Sequence, residues 1–288
     1  MILSKREETL ISVVIPTFNR KSSISHAVNS VIHQDYKNWE LLIVDDGSND
    51  GTGTLLEPFL QDSRISYFYQ NNQGVSAARN AGALQSKGNY LIFLDSDDVF
   101  FPKLLSTLYL DEFFKYDLIF WEVCKITDGK MKIIRPVRLG AMYNNIKATF
   151  LAGSICFRKS VFFKAGGYDP LISFSENYEL GLRISKLPKL KTRVINKILL
   201  KYETNSETRV SNSLENRLFS SIYQVKKHKK YFDANKREKG EMIYLIAYLL
   251  EQSNRKLAAI KQYKKSWILN PLNIKALVKI LILQYSRT

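Results

Sequence analysis

The sequence predicts an α/β fold: a central mixed, mainly parallel sheet with helices on both faces, followed by a basic helical C-terminal extension. Three observations carry this. Short apolar strands alternate with helix-period segments over the first hundred residues, the pattern of βαβ units. Polar loops rich in Asp, Asn, Gly and Ser follow those strands. The last third is helical in pattern and holds the whole net charge.

Taken in order, Ile11 to Ile15 is the first strand, stopped by Pro16. A helix is expected over 22–34, with Ile24, Ala27, Val28, Val31 and Ile32 on one face. Trp39 to Val44 is the second strand, followed by a loop and a short helix to about Leu60. Ile65 to Tyr69 is the third strand, Gly74 to Leu84 a small-residue helix, and Tyr90 to Leu94 the fourth strand. In a parallel arrangement the loops 16–20, 45–49 and 95–98 converge at the carboxyl edge, where open α/β sheets bind ligands. After Pro102 the pattern loosens. Strands are expected at 118–124, at 130–137 and at 154–157, then a helix ending at Gly166-Gly167. An amphipathic helix over 176–186 places Glu179 and Arg183 at i and i+4. Beyond about 213 three successive helices are expected at 242–250, 257–267 and 274–283.

With 288 residues, 45% of them apolar, the chain can bury a substantial core. Cys124 and Cys156 sit in apolar surroundings and read as free thiols of a reducing compartment. The first residues lack a signal-peptide core, and the longest apolar run, 242–250, falls far short of the ~20 residues needed to span a bilayer. These features point to a cytoplasmic protein. Residues 1–184 hold 20 Lys+Arg and 20 Asp+Glu, whereas 185–288 hold 23 and 7. An excess confined to one end suggests an anionic partner, such as a membrane surface on the inner face. A solvated tail is the plainer alternative. No nucleic-acid-binding module is recognisable, which disfavours nucleic acid.

The most telling stretch is Tyr90-Leu91-Ile92-Phe93-Leu94-Asp95-Ser96-Asp97-Asp98. Three carboxylates so close repel one another unless a cation or a set of donors lies among them. A hard divalent cation such as Mg²⁺ or Mn²⁺ suits oxygen ligands. A solvated turn is the other reading of the same residues. Asp45-Asp46-Gly47-Ser48-Asn49-Asp50-Gly51 follows a buried strand and offers a carboxylate to a base or ribose, or else caps the next helix. There is neither a Gly-x-Gly-x-x-Gly fingerprint nor a P-loop. At Gly74 to Gly82 a helix start rich in small residues could face a phosphate, with Arg79 one turn on, or could serve close helix–sheet packing.

Four ordered motifs, 11–20, 40–48, 72–80 and 94–98, resemble those of the family 2 glycosyltransferases of GT-A fold, with the likeness running over about 10–210. The resemblance implies a nucleotide-sugar donor, usually a uridine diphosphate sugar, and Mn²⁺ or Mg²⁺. It implies a glycosyltransferase domain over 1–210, with a nucleotide-binding half at 1–101 and an acceptor half at 102–210, and a basic extension at 211–288. Pro16, Thr17, Phe18 and Asn19 resemble the wall around base and ribose. Asp46, with Asp45 beside it, resembles the base-recognising aspartate. Arg79 matches a position near the donor phosphates, Asp95-Ser96-Asp97 the Asp-x-Asp motif, and Asp97 and Asp98 the metal and ribose contacts. In the acceptor half, 153–159, 165–169 and 175–183 also match. There the family usually has Glu-Asp, with the Asp as catalytic base, but this chain has Glu176-Asn177, and an amide takes no proton near neutral pH. Glu176 is the expected replacement and Glu179 the next candidate. Asn205 stands where the family often has a histidine near the metal.

The expected activity is inverting transfer to a glycan or lipid-linked sugar acceptor in surface polysaccharide synthesis. Asn177 keeps open a non-catalytic nucleotide-sugar- or partner-binding protein of the same fold. A nucleotide-sugar pyrophosphorylase would open with a Gly-rich basic loop, which 16–20 lacks.

Overall fold

A computed structural model describes residues 9–204 and 213–285, with side chains to 202 and over 213–284. Asn205 lies outside the described residues. The chain divides into two compact units, one of Met1–Arg138, Ile146–Pro170 and Glu176–Asn205, the other of Leu139–Asn145, Leu171–Ser175 and Ser206–Thr288.

The first unit begins with β1 (Ile11–Thr17), α1 (Ile24–Ile32), β2 (Trp39–Asp45), α2 (Thr52–Leu56), β3 (Ile65–Tyr69), α3 (Val75–Gln85) and β4 (Tyr90–Phe93). It continues through β5 (Val99–Phe100), α4 (Leu104–Leu110), β6 (Leu118–Thr127), β7 (Lys130–Ile134), β8 (Val137–Arg138) and β9 (Lys147–Ala148). It closes with β10 (Ile155–Arg158), α5 (Lys159–Lys164), α6 (Glu176–Ser185) and β11 (Thr192–Thr204). The main sheet runs β3-β2-β1-β4-β10-β6-β11-β5, with β7 on β6. β1, β2, β3, β4, β6 and β11 point one way, while β5, β7 and β10 oppose them. This is the mixed, mainly parallel sheet expected. β8 and β9 form a separate ribbon.

Both faces of β1 are buried, as are those of β2 and β4 except at Glu40. Their Val, Ile, Leu and Phe side chains contribute roughly 1.5–3 kcal/mol each when fully buried. The α3 helix reaches the sheet through Gly82: a Cβ there would lie 2.4 Å from Val14 Cγ1, too close for any side chain. Pro16 does not stop the first strand. It pairs in register with Val44 on one side only, at the strand end that β4 leaves unpaired, so its missing N–H costs no ladder bond there.

Two features escaped the sequence pattern. β11, thirteen residues long, pairs parallel with β6, but its register shifts between Ile195 and Ile198 and again before Leu200. Those irregularities destroy the two-residue alternation that marks a strand. β5 is only two residues long, placed by pairing with β11.

The second unit holds α7 (Leu214–Lys227), α8 (Lys229–Ala234), α9 (Lys236–Gln252), α10 (Lys256–Leu269) and α11 (Ile274–Tyr285). Its core gathers Leu218, Ile243, Ala247, Leu250, Tyr263, Ala276 and Ile280 among others. Among the described residues no helix is long and apolar enough to cross a membrane.

Candidate active site

The carboxyl ends of β2, β1 and β4 lie side by side, so the loops after them form one lip. Asp46 N donates to Thr17 O at 2.8 Å, joining the first two loops. Asn19, at φ 51°, takes the left-handed turn that asparagine tolerates; its backbone N donates to Ser48 Oγ and its Oδ1 accepts from Asn49 N. Pro16 and Thr17 are buried there and Phe18 is 40% exposed, an aromatic surface open at the lip.

Asp45 and Asp46 are both buried, and both carboxylates are engaged by the chain. Asp45 accepts from Ser48 N and from the Tyr67 hydroxyl, each at 2.8 Å. Burial and then that carboxylate push the Tyr67 phenol up. Asp46 accepts from Gln70 Nε2 at 2.7 Å, Gln73 N at 2.9 Å and Gly74 N at 2.7 Å. Gly74, at φ 90°, supplies a conformation other residues rarely adopt. Asp46 therefore fastens the turn that opens α3, a structural duty the sequence did not reveal.

Beyond β4, Asp95, Asp97 and Asp98 each offer an oxygen, and the three oxygens lie within 4.8 Å of one another. Asp98 N donates to Asp95 O at 3.0 Å, curling the loop so that the carboxylates gather, and Ser96 between them is buried. Three hard oxygen donors at this spacing fit Mg²⁺ or Mn²⁺ and suit no soft metal.

Arg79 was expected beside donor phosphates. Its side chain is 2% exposed and bridges two carboxylates, Nη2 to Asp95 Oδ1 at 2.6 Å and Nη1 to Glu176 Oε1 at 2.9 Å. Burial works against its charge, but Asp95, Tyr168 and Glu176 outweigh burial and raise its pKa above the ordinary arginine value. Arg79 thus bridges the acidic lip to α6.

On α6, Glu176 Oε1 also accepts from Asn177 Nδ2 at 3.0 Å, and Asn177 Oδ1 accepts from the Tyr168 hydroxyl at 2.8 Å. Asn177 is therefore spanned between a donor and an acceptor. Tyr168 is fully buried beneath the Arg79 guanidinium, 5.1 Å from ring centre to Cζ, and burial pushes its phenol up. Asn80 holds the Tyr168 backbone from both sides, donating to its O at 2.8 Å and accepting from its N at 2.9 Å. In the sequence Tyr168 is marked only by its place in the Gly166-Gly167-Tyr168-Asp169 motif, and Asn80 carries no signal of this link. Glu179 is not brought to this cluster. It is 1% exposed and clamped by Arg183 Nε at 2.9 Å and Nη2 at 2.6 Å, and Arg183 also donates to the carbonyls of Ala165 and Gly167. Through Arg183 its carboxylate holds the turn before Tyr168.

Residues 12–162, more than half of the chain, match the family described as Glycosyl transferase family 2, and the chain belongs to that family. A glycosyltransferase of Rickettsia conorii is 47% identical over 94 residues, 33% of this chain and 16% of that relative. A putative teichuronic acid biosynthesis glycosyltransferase, TuaG of Bacillus subtilis, is 42% identical over 91 residues, 31% of this chain and 36% of its own length. The matched segment thus spans well under half of these relatives. Among solved structures, S. aureus TarS 1–349 in complex with UDP-GlcNAc superposes with a TM-score of 0.63 at 16% identity, covering 96% of this chain and 90% of that one. The shared fold is that of GT-A glycosyltransferases.

Proposed function

We propose that this chain transfers a sugar from a uridine diphosphate sugar to a hydroxyl of a glycan or lipid-linked acceptor, with inversion at the anomeric carbon, during surface polysaccharide synthesis. The observation that carries the reading is the cluster Asp95, Asp97 and Asp98 at the carboxyl edge, tied through Arg79 to Glu176. UDP-GlcNAc in a structural neighbour and teichuronic acid in the name of a relative support the choice of donor and product class.

In this reading residues 1–101 are the donor half and 102–210 the acceptor half. The wall of Pro16, Thr17, Phe18 and Asn19 takes the base and ribose, with Asp46 and Asp45 setting its shape from below. Asp97 and Asp98, joined by Asp95, would hold Mn²⁺ or Mg²⁺, which when bound neutralises charge on the departing diphosphate. Glu176 receives the proton of the acceptor hydroxyl. Its Oε1 is fixed by Arg79 and Asn177, and its Oε2 receives no hydrogen bond among the described residues. Arg79 positions Glu176 and Asp95 relative to one another. The basic C-terminal third lies near an anionic membrane that carries the acceptor.

A thermal-shift screen of nucleotide sugars with and without Mn²⁺, followed by measurement of free uridine diphosphate, tests the proposal. Stabilisation by uridine diphosphate sugars with nucleotide release supports it. Binding without release, even with glycan and lipid-linked acceptors supplied, favours the second reading, a nucleotide-sugar-binding protein. The amide at 177 is the observation behind that reading.

A further inference from the structure

The α11 helix is apolar on two opposite sides. Ala276, Ile280 and Leu283 are buried in the second unit. Ile274, Val278, Leu281 and Ile282, spaced i, i+4, i+7 and i+8, form a second stripe along one helix face, and all four are exposed. Leu272, 84% exposed, and Trp267 lead into that stripe through the preceding connection. Exposed apolar surface arranged in a continuous stripe marks a binding face.

The charge around the stripe is mostly of one sign; the carboxylate of Glu251 is paired with Lys279 of α11 at 2.7 Å. Residues 252–288 contain eight Lys or Arg and no Asp or Glu. Lys264, Lys265 and Lys275 are exposed beside it in the chain. We propose that this face lies in the interface of an anionic lipid bilayer, with the α11 stripe sunk to the acyl boundary and the lysines on headgroup phosphates. An exposed apolar helix face with an excess of cations beside it is the pattern of an interfacial helix, whose affinity sums apolar burial and attraction to anionic lipid. A second copy of this chain would bring like charge against like charge, which opposes self-association. The inference rests on the membrane part of the function proposed above and adds insertion to charge attraction. It needs no catalysis: nucleotide release in solution can fail or succeed independently of it.

The full chain provides its own probe. Of its three tryptophans, Trp39 and Trp121 are buried in the first unit and Trp267 is exposed. Mixed with phosphatidylcholine–phosphatidylglycerol vesicles containing brominated acyl chains, the protein should bind and lose part of its fluorescence, and Trp267→Phe should abolish that quenching. The exposed double substitution Leu281→Ser/Ile282→Ser should weaken vesicle binding by about tenfold or more while the melting profile stays unchanged. Pure phosphatidylcholine vesicles should bind far less. Salt-reversible binding without quenching would reduce the contact to charge alone and overturn the proposal. So would unchanged binding of the double variant. Absence of vesicle binding overturns it too. Coupled to a lipid-free dimer that the double variant dissolves, it would assign the stripe to a second copy; without such a dimer, to an acidic protein partner.

Discussion

Asn177 donates through Nδ2 to Glu176 Oε1 at 3.0 Å, while its Oδ1 receives the Tyr168 hydroxyl at 2.8 Å. The amide at 177 is therefore fitted between its neighbours, using both a donor and an acceptor end. A carboxylate at 177 would set a second negative charge against Glu176.

Asn177→Asp is accordingly expected to lower stability and turnover. The cost should be larger at pH 8 than at pH 5, because like charges favour protonation and acid relieves their repulsion. Melting temperature at the two pH values and nucleotide release measure it. A gain in turnover would mean instead that the amide marks a weakened enzyme.

Glu176→Gln is expected to cut transfer by at least ~10²-fold, the lower range for losing a general base, with donor affinity little changed. Steady-state kinetics with the donor varied separates the two effects. Full activity would remove Glu176 from proton transfer.

Asp46→Ala should weaken binding of uridine diphosphate itself, since three donors of the 70–74 turn lose their acceptor and that turn loosens at the lip. Calorimetric titration with the free nucleotide measures this; equal affinity would take Asp46 out of the site.

The Tyr168 phenol is pushed up by burial. A group whose folded pKa is raised favours folding fully below its unfolded value and loses that contribution as pH climbs beyond it. Stability should thus fall as pH rises above about 10. Tyr168→Phe should be less stable near neutrality by about 1 kcal/mol, from the lost bond to Asn177, yet shallower in its alkaline decline. Thermal melts across that range test the slope; an unchanged slope would contradict the assignment.

The first four strands were legible in the sequence because they are mostly apolar and carboxylates follow strand ends directly, as at Leu94-Asp95. The contacts of Arg79 were less legible, since one arginine can face a phosphate or a carboxylate. The i, i+4 spacing did disclose the Glu179–Arg183 pair. Tyr168 and Asn80 were hidden because their link spans 88 residues. β11 was hidden by bulges that break alternation.

The proposed transfer depends most directly on metal-dependent donor binding at Asp95, Asp97 and Asp98. Calorimetric titration of uridine diphosphate sugars into the full chain, with and without Mn²⁺, should show at least one that binds more tightly with the metal. Asp97→Asn, with an unchanged melting profile, should lose that increment. Equal affinity with and without Mn²⁺, or a folded Asp97→Asn variant that retains the full increment, would contradict it.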